Sequence, residues 1–215
     1  MKVLVVGANG QIGQHIVKQL NNNDDHTVRA MVRKEEQAEE LKKKGIDAVI
    51  ANLEGHKRSI VKAAKGCDAV VFSAGSGGKT GAEKTLLVDL DGAVKTIEAA
   101  EEAGVDRFVM VSALQANNRE NWNEKIRHYY VAKHYADRML EASNLNYTIV
   151  RPGGLLNDAG TGNVHIAGNL DERGSVPRED VARTVVASLS EENTHKRAFD
   201  LVSGDTAIAD ALKNL

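Results

Sequence analysis

Short apolar runs alternate with charged, helix-forming segments along most of this chain, and that rhythm limits its fold more than any other feature. The runs are KVLVV (2–6), TVRAMV (27–32), DAVIA (47–51), DAVVFSA (68–74), DRFVMVS (106–112), NYTIVR (146–151) and AFDLVS (198–203). They are β-branched and nearly continuous, as strands covered on both faces are. Between them lie segments 11–22, 34–44, 56–65, 81–103 and 125–143, rich in Ala, Leu, Glu and Lys. Strand and helix in repeated alternation imply βαβ units with right-handed crossovers, so the expected fold class is α/β, a doubly wound parallel sheet. No linker or shift in composition interrupts the first 150 residues. The 215-residue chain therefore reads as a single domain. Residues 152–176 lose the rhythm and hold one proline and six glycines. With the C-terminus they are expected to form a small substrate-side cap. A helix over 177–189 follows, with Pro177 in its first turn and Glu179 and Asp180 at the positive end of its dipole.

The first strand runs straight into Gly7, Gly10 and Gly13, in "VGANGQIG". GxxGxxG at a first strand-to-helix turn is a phosphate cradle when the helix opens at Gln11. Gly7 allows the tight turn, Gly10 lets backbone approach a pyrophosphate, and Gly13 lets helix and strand pack closely. Asn9, Gln11 and Ile12 belong to the same cradle, at the loop and the helix N-terminus where free N–H groups favour an anion. About 20 residues on, sites that prefer NAD usually carry a carboxylate for the ribose 2′-hydroxyl. Here the second strand ends in Arg33 and Lys34. A guanidinium suits a 2′-phosphate, so NADP(H) is favoured, with NAD(H) kept open by Glu35 and Glu36.

Tyr129 and Lys133 stand four residues apart in "YYVAKHYADRML", one above the other on a helix face shared with Ala132, Ala136 and Leu140. A lysine in an apolar stripe is out of place on a plain amphipathic helix. Facing a bound cofactor, it has a use. A tyrosine hydroxyl ionises near pH ~10, and bringing that to neutrality takes roughly 4 kcal/mol. A lysine and the positive ring of an oxidised nicotinamide could supply it. Tyr129 then exchanges a proton with a substrate oxygen as hydride moves. Ser112 ends the fifth strand, where its hydroxyl could orient a carbonyl or stabilise an oxyanion. Tyr130 and Tyr135 have no lysine four residues further on and are expected to pack or to wall the cleft.

These residues resemble the short-chain dehydrogenase/reductase superfamily, and more closely its atypical branch of small NAD(P)-binding, epimerase/dehydratase-like proteins. The resemblance spans nearly the whole chain and rests on "GANGQIG", "VVFSAGSGGKTG", "VDLDGAVKTIEAAEEAGVDRFVMVSA", "YYVAK", "YTIVRPGGL" and "REDVA". It implies a Rossmann fold with strand order 3-2-1-4-5-6-7 and a catalytic triad of Ser112, Tyr129 and Lys133. It also implies cofactor contacts at Asn52 and Leu53 for the adenine, at Ser73, Ala74 and Gly75 after the fourth strand, at Lys133 for the ribose, and at Pro152 and Gly153 beside the nicotinamide. Many members carry an asparagine in the fourth helix that helps a proton relay; this chain offers Asp89 and Asp91 instead. Strand three ends in Asn52 where an aspartate is usual. Residues 152–176 and 205–215 are short for a nucleotide-sugar epimerase.

Other features exclude more than they assign. The net charge of −2 offers no basic surface for nucleic acid or an anionic membrane. Cys67 is the lone cysteine, so no internal disulfide forms, which fits a reducing compartment. The N-terminus lacks an h-region and no apolar stretch spans a bilayer, so a cytoplasmic protein is expected. His15, His56, His165 and His195 show no metal-ligand spacing, and no metal is expected. Residues 74–81 either wrap the diphosphate, with Lys79 near a phosphate, or simply connect. Loop 114–125, with Trp122, is expected to wall the substrate cleft.

The expected function is an NADP(H)-dependent oxidoreductase acting on a small carbonyl, quinone or flavin-like substrate. The alternatives are a dinucleotide-sensing regulator without turnover and a small epimerase/dehydratase using bound NAD. A small molecule is the expected partner, with the chain a monomer or a homodimer.

Overall fold

The computed structural model describes residues 1–78 and 80–215, so Lys79 lies outside the described residues. All seven apolar runs are strands of one sheet. β1 (Lys2–Val6) pairs in parallel with β2 (Thr27–Val32) on one side and β4 (Ala69–Phe72) on the other. β3 (Asp47–Ile50) flanks β2, and β5 (Arg107–Val111), β6 (Asn146–Pro152) and β10 (Arg197–Ser203) follow β4 in turn, all parallel. The order is the one the family resemblance implies. The reversal of winding between β1 and β4 leaves a crevice at the C-terminal ends of the strands.

Alternate residues of β1 face opposite layers, as strand periodicity requires. Val3 and Val5 join Ile16 and Leu20 of α1 (Gln11–Asn21) and Val185 and Leu189 at the end of α7 (Arg178–Ser188). Leu4 and Val6 join Ile60 of α3 (Lys57–Ala64), Ile97 of α5 (Asp91–Ala103) and Leu140 of α6 (Arg127–Glu141). The helices thus lay apolar stripes on a two-sided sheet, and the enclosed Phe72, Phe108 and Phe199 lie on β4, β5 and β10. Arg107 stands at the N-terminal end of β5 and donates to the carbonyls of Ser188 and Leu189, closing the last turn of α7. Burial pushes its pKa down to about 10, which still leaves it charged at neutral pH.

Two regions depart from the sequence expectations. Residues 152–176 are not irregular throughout. β7 (Gly154–Leu156) and β9 (Ser175–Pro177) form a separate parallel ladder. β8 (Asn163–Ala167) adds to the main sheet antiparallel to β10, and β11 (Thr206–Ala207) pairs with β8 in turn. These strands are two to five residues long and their partners are distant in sequence, so no local periodicity announces them. The C-terminal residues therefore extend the sheet edge, where α8 (Ile208–Lys213) packs on β8. The helix expected over 81–103 is interrupted. A short α4 (Ala82–Lys84) passes into a π-helical stretch, Thr85–Leu90, before α5 begins.

Candidate active site

The glycine loop folds as its spacing demands. Gly7 has φ +87°, and its carbonyl accepts the N–H of Gly10 at 2.9 Å. A Cβ on Gly7 would lie 2.6 Å from the backbone nitrogen of Ala74, and one on Gly13 would lie 2.1 Å from the Gly7 carbonyl oxygen. The loop, the first turn of α1 and the end of β4 thus touch through bare backbone. Gly10 is the N-cap of α1 without a side-chain cap, and no acidic residue stands in the first turn. The first-turn N–H groups therefore have no partner in the helix and face the crevice as an anion cradle.

Beside this cradle lies a cavity of about 390 Å³. It is lined by Gly7, Asn9 and Gly10 from the loop, Arg33 from the end of β2, Asn52 and Leu53 after β3, and Ser73, Ala74 and Gly75 after β4. Nine residues expected to hold a dinucleotide therefore share one wall-to-wall groove. Arg33 is exposed and forms no ion pair among the described residues. Ser73 is fixed by its backbone N–H and its hydroxyl, both donating to the Val6 carbonyl. The Asn52 side chain accepts from the Glu54 N–H and so shapes its own turn. The Glu54–Lys84 ion pair, which no motif announced, joins the β3 side of the groove to α4. Ile12 and Gly13 are buried behind the cradle.

A larger cavity, about 860 Å³, lies between α1, α2 (Glu35–Lys43) and residues 156–159. It takes in Asn9 and Gln11 but none of Ser112, Tyr129 or Lys133. The smaller groove lies at the strand C-termini, where sheets wound in this way bind their ligands.

The other end of the crevice is built on β5, β6 and α6. Lys133 is buried and its ammonium donates to the Val111 carbonyl at 2.8 Å, with the Phe72 ring 6.0 Å away. Ser112, next in the chain, is buried and its hydroxyl has no hydrogen-bond partner. Tyr129 is half-buried one turn before Lys133 on α6. Pro152 ends β6, and Gly153 donates to the Leu201 carbonyl. These five residues stand on or next to three neighbouring elements, β5, β6 and α6.

The electrostatics separate the two aspartates offered by the sequence and add one, Asp137, that sequence reasoning missed. Asp89, in the π-helical stretch, is buried; its carboxylate accepts the Ser76 N–H at 2.9 Å and lies close against Gly75. Asp91, the other candidate, is exposed and pairs with Lys95. On α6, Asp137 shares the buried face with Lys133 and accepts from Arg151 of β6 at 2.8 Å. Burial pushes the Lys133 ammonium below its ordinary pKa, against the pull of Asp89 and Asp137. Burial, with Asp89, Tyr130 and Asp137, pushes the Tyr129 hydroxyl well above the ordinary phenol range. In the chain alone the shift is thus opposite to the lowering expected from Lys133, because burial and the nearby carboxylates outweigh any help from the ammonium. The only signal for Asp137 was its spacing, four residues after Lys133.

Loop 114–125 is stapled to α6. The Trp122 indole N–H donates to the Ala116 carbonyl, which also meets the His134 ring, and Trp122 stacks on Tyr130 with centroids 6.0 Å apart. Arg119 lies over Trp122 and Tyr135. Across from it, Gln115 and Leu170 both donate backbone N–H groups to the buried Asp200 carboxylate, which ties this loop to residues 168–171. Among the described residues no cluster of metal-ligating side chains occurs, and no helix is long and apolar enough to cross a membrane.

Comparison with known proteins agrees with this geometry. A family model described as NAD(P)H-binding matches residues 7–192. An uncharacterised sugar epimerase of Bacillus subtilis, YhfK, is 65% identical over 215 residues, covering all of both chains. A solved structure from Bacillus halodurans, named as a proposed NAD-dependent epimerase/dehydratase, superposes with TM-score 0.94 at 44% identity over the full length of both chains. The oxidoreductase ylbE of Lactococcus lactis gives TM-score 0.88 at 32% identity, over 100% of this chain and 96% of that one.

Proposed function

The chain belongs to the NAD(P)H-binding family, and from that premise we propose that it is an NADP(H)-dependent oxidoreductase whose working residues are Ser112, Tyr129 and Lys133. The observation that carries this reading is the Ser112 hydroxyl, buried and unpartnered beside the carbonyl that holds Lys133. A buried hydroxyl left without a partner costs free energy unless a ligand completes it. A substrate oxygen is such a ligand.

When bound, the reduced nicotinamide supplies the hydride. Gly10, Gln11, Ile12 and Gly13 hold the pyrophosphate on the N-terminus of α1, with Gly7 and Asn9 shaping the approach. Asn52 and Leu53 border the adenine, Ser73 to Gly75 pass along the cofactor, and Pro152 and Gly153 close on the nicotinamide end. Arg33 at the rim is the counter-charge for a 2′-phosphate, which favours NADP(H) over NAD(H). The Lys133 ammonium holds the ribose hydroxyls. Ser112 donates to the substrate oxygen and Tyr129 gives that oxygen its proton, so the carbonyl gains hydride on carbon and a proton on oxygen. A tyrosine held in its protonated form suits this direction. Residues 152–176 and loop 114–125 border the substrate, a small carbonyl, quinone or flavin-like compound.

The name of the Bacillus subtilis relative favours a second reading, an epimerase in which hydride leaves and returns on a retained cofactor. Net consumption of NADPH separates the two. A screen of carbonyls, quinones and flavins for loss of nicotinamide absorbance is expected to find turnover that falls about 10²–10⁴-fold in Tyr129→Phe. Unchanged turnover in that variant removes Tyr129 as the acid. Cofactor binding without turnover on any class favours a sensor or an epimerase.

A further inference from the structure

Residues 155–162 and 168–174 are held in different ways. The first are clamped by the opening turn of α7: Arg178 donates to the Leu155 carbonyl and the Asn157 side chain, and Glu179 and Asp180 accept the N–H groups of residues 160–162. The second, between β8 and β9, form no helix or strand. All of them are exposed except Leu170, which is half-buried and joins neither apolar cluster of the core. Their side-chain hydrogen bonds run to loop 114–125. The Gln115 carboxamide donates to the carbonyls of Leu170 and Asp171, Asn117 donates to Asn169, and Arg173 donates to the Asn121 carbonyl. The buried Asp200 carboxylate accepts one backbone N–H from each side, Gln115 at 3.2 Å and Leu170 at 2.9 Å. The far end of the segment is Gly174, whose carbonyl accepts the Gly154 N–H; a Cβ on Gly153 would lie 2.2 Å from that carbonyl oxygen. The segment thus spans from the loop that follows Ser112 to the residues that follow Pro152.

Gln115 is buried with φ +58°, in the left-handed region that residues other than glycine, asparagine and aspartate rarely adopt. A glycine would hold this turn without strain. What a glycine lacks is the carboxamide, and the carboxamide is the group that grips the segment. Strain of this kind persists where the surroundings enforce it, and it gathers at ligand clamps and switches. A segment with little apolar burial, held through exposed polar contacts, opens at a fraction of the cost of global unfolding. We propose that residues 168–174 are a removable cover over the Ser112 end of the site, and that Gln115 is the positioning residue that latches it. This rests on the reading of Ser112 as the group that meets the substrate. Closed, the cover keeps water from the buried, unpartnered Ser112 hydroxyl. Open, it admits the substrate, while the clamp of α7 keeps residues 155–162 in place.

Amide hydrogen exchange over residues 168–174 reads the opening, and alkylation of a thiol at the Ser112 position by N-ethylmaleimide reads access to the site. Neither needs cofactor or substrate. The thiol is introduced as Ser112→Cys together with Cys67→Ser, so that the chain carries no other. In the parent, residues 168–174 are expected to exchange well ahead of the global transition. Gln115→Gly keeps the turn and deletes the latch. It is expected to raise exchange over 168–174 about tenfold, the loss of an ordinary hydrogen bond, and to raise alkylation by the same factor. The melting temperature and exchange at residues 160–162 are expected to change little. A merely structural role would lower the melting temperature and raise exchange in both segments. If Gln115→Gly does not fold, Asn117→Ala/Arg173→Ala, which removes the two outer ties, is expected to raise both rates in step. Exchange over 168–174 that appears only with global unfolding, or that the variants leave unmoved, overturns the proposal. Raised exchange with unchanged alkylation overturns it too, because the segment then opens without uncovering Ser112. The underlying reading fails separately: turnover unchanged in Ser112→Ala removes the role of that hydroxyl and leaves the exchange result as it stands.

Discussion

Gly13 has no room for a side chain. Its Cβ would press on the carbonyl oxygen of Gly7, which also holds Gly10 in the turn. Gly13→Ala is therefore expected to cost about 1–3 kcal/mol by overpacking against backbone that cannot swing aside. It should also push the cradle out of register. A thermal melt and an NADPH titration check both effects together; a variant as stable as the parent with unaltered affinity would contradict the close packing described. Lys133 stood out in the sequence because a lysine inside an apolar stripe breaks a local rule; Tyr129 was singled out by standing four residues before it, and Ser112 by ending a strand. Asp137 and Arg151 were not. A charged pair four residues past a lysine and at the end of a strand reads as solvent-facing until the sheet buries both. Arg33 was read from its place in the chain, and the structure adds that it lies on the groove with no carboxylate neutralising it.

Helix α7 shows how an element can position a loop it does not touch in sequence. Glu179 and Asp180 were expected to answer the helix dipole. Both stand in its first turn, and their carboxylates also accept the N–H groups of Gly160, Thr161 and Gly162, with Arg183 bridging both. Asp180 is fully buried. Asp180→Ala strands two amide donors, while Arg183 keeps Glu179, at an expected cost of about 1–3 kcal/mol. Urea unfolding measures the cost, and hydrogen exchange at residues 160–162 should rise ahead of the global transition. Exchange rising only with global unfolding would mean that the anchor is not local. The parallel strands and their helices were legible to within two or three residues because each buries a long periodic stripe. The π-helical stretch was not: its composition is that of any helix, and Thr85 and Asp89 are its buried residues. Strands β7, β8, β9 and β11 were missed because their stability comes from partners far along the chain.

The whole molecule places its chemistry on one edge. Every strand of the parallel sheet ends toward the glycine loop, the groove of Arg33 and Asn52, and the Ser112–Lys133 cluster. This follows from the winding alone. The loops that overlie it, 114–125 and 168–171, are joined through Asp200 rather than left independent. The larger cavity reaches the glycine loop at Asn9 and Gln11 but includes none of Ser112, Tyr129 and Lys133. The central claim is that the edge holds a phosphorylated nicotinamide dinucleotide by Arg33. The measurement that tests it most directly is a paired titration of NADPH and NADH, in the parent and in Arg33→Ala. The account predicts that NADPH binds the parent at least about tenfold more tightly than NADH, a preference of about 1.4 kcal/mol, and that Arg33→Ala removes the preference while leaving NADH affinity little changed. Equal affinities in the parent, tighter NADH binding, or binding of neither dinucleotide would contradict it.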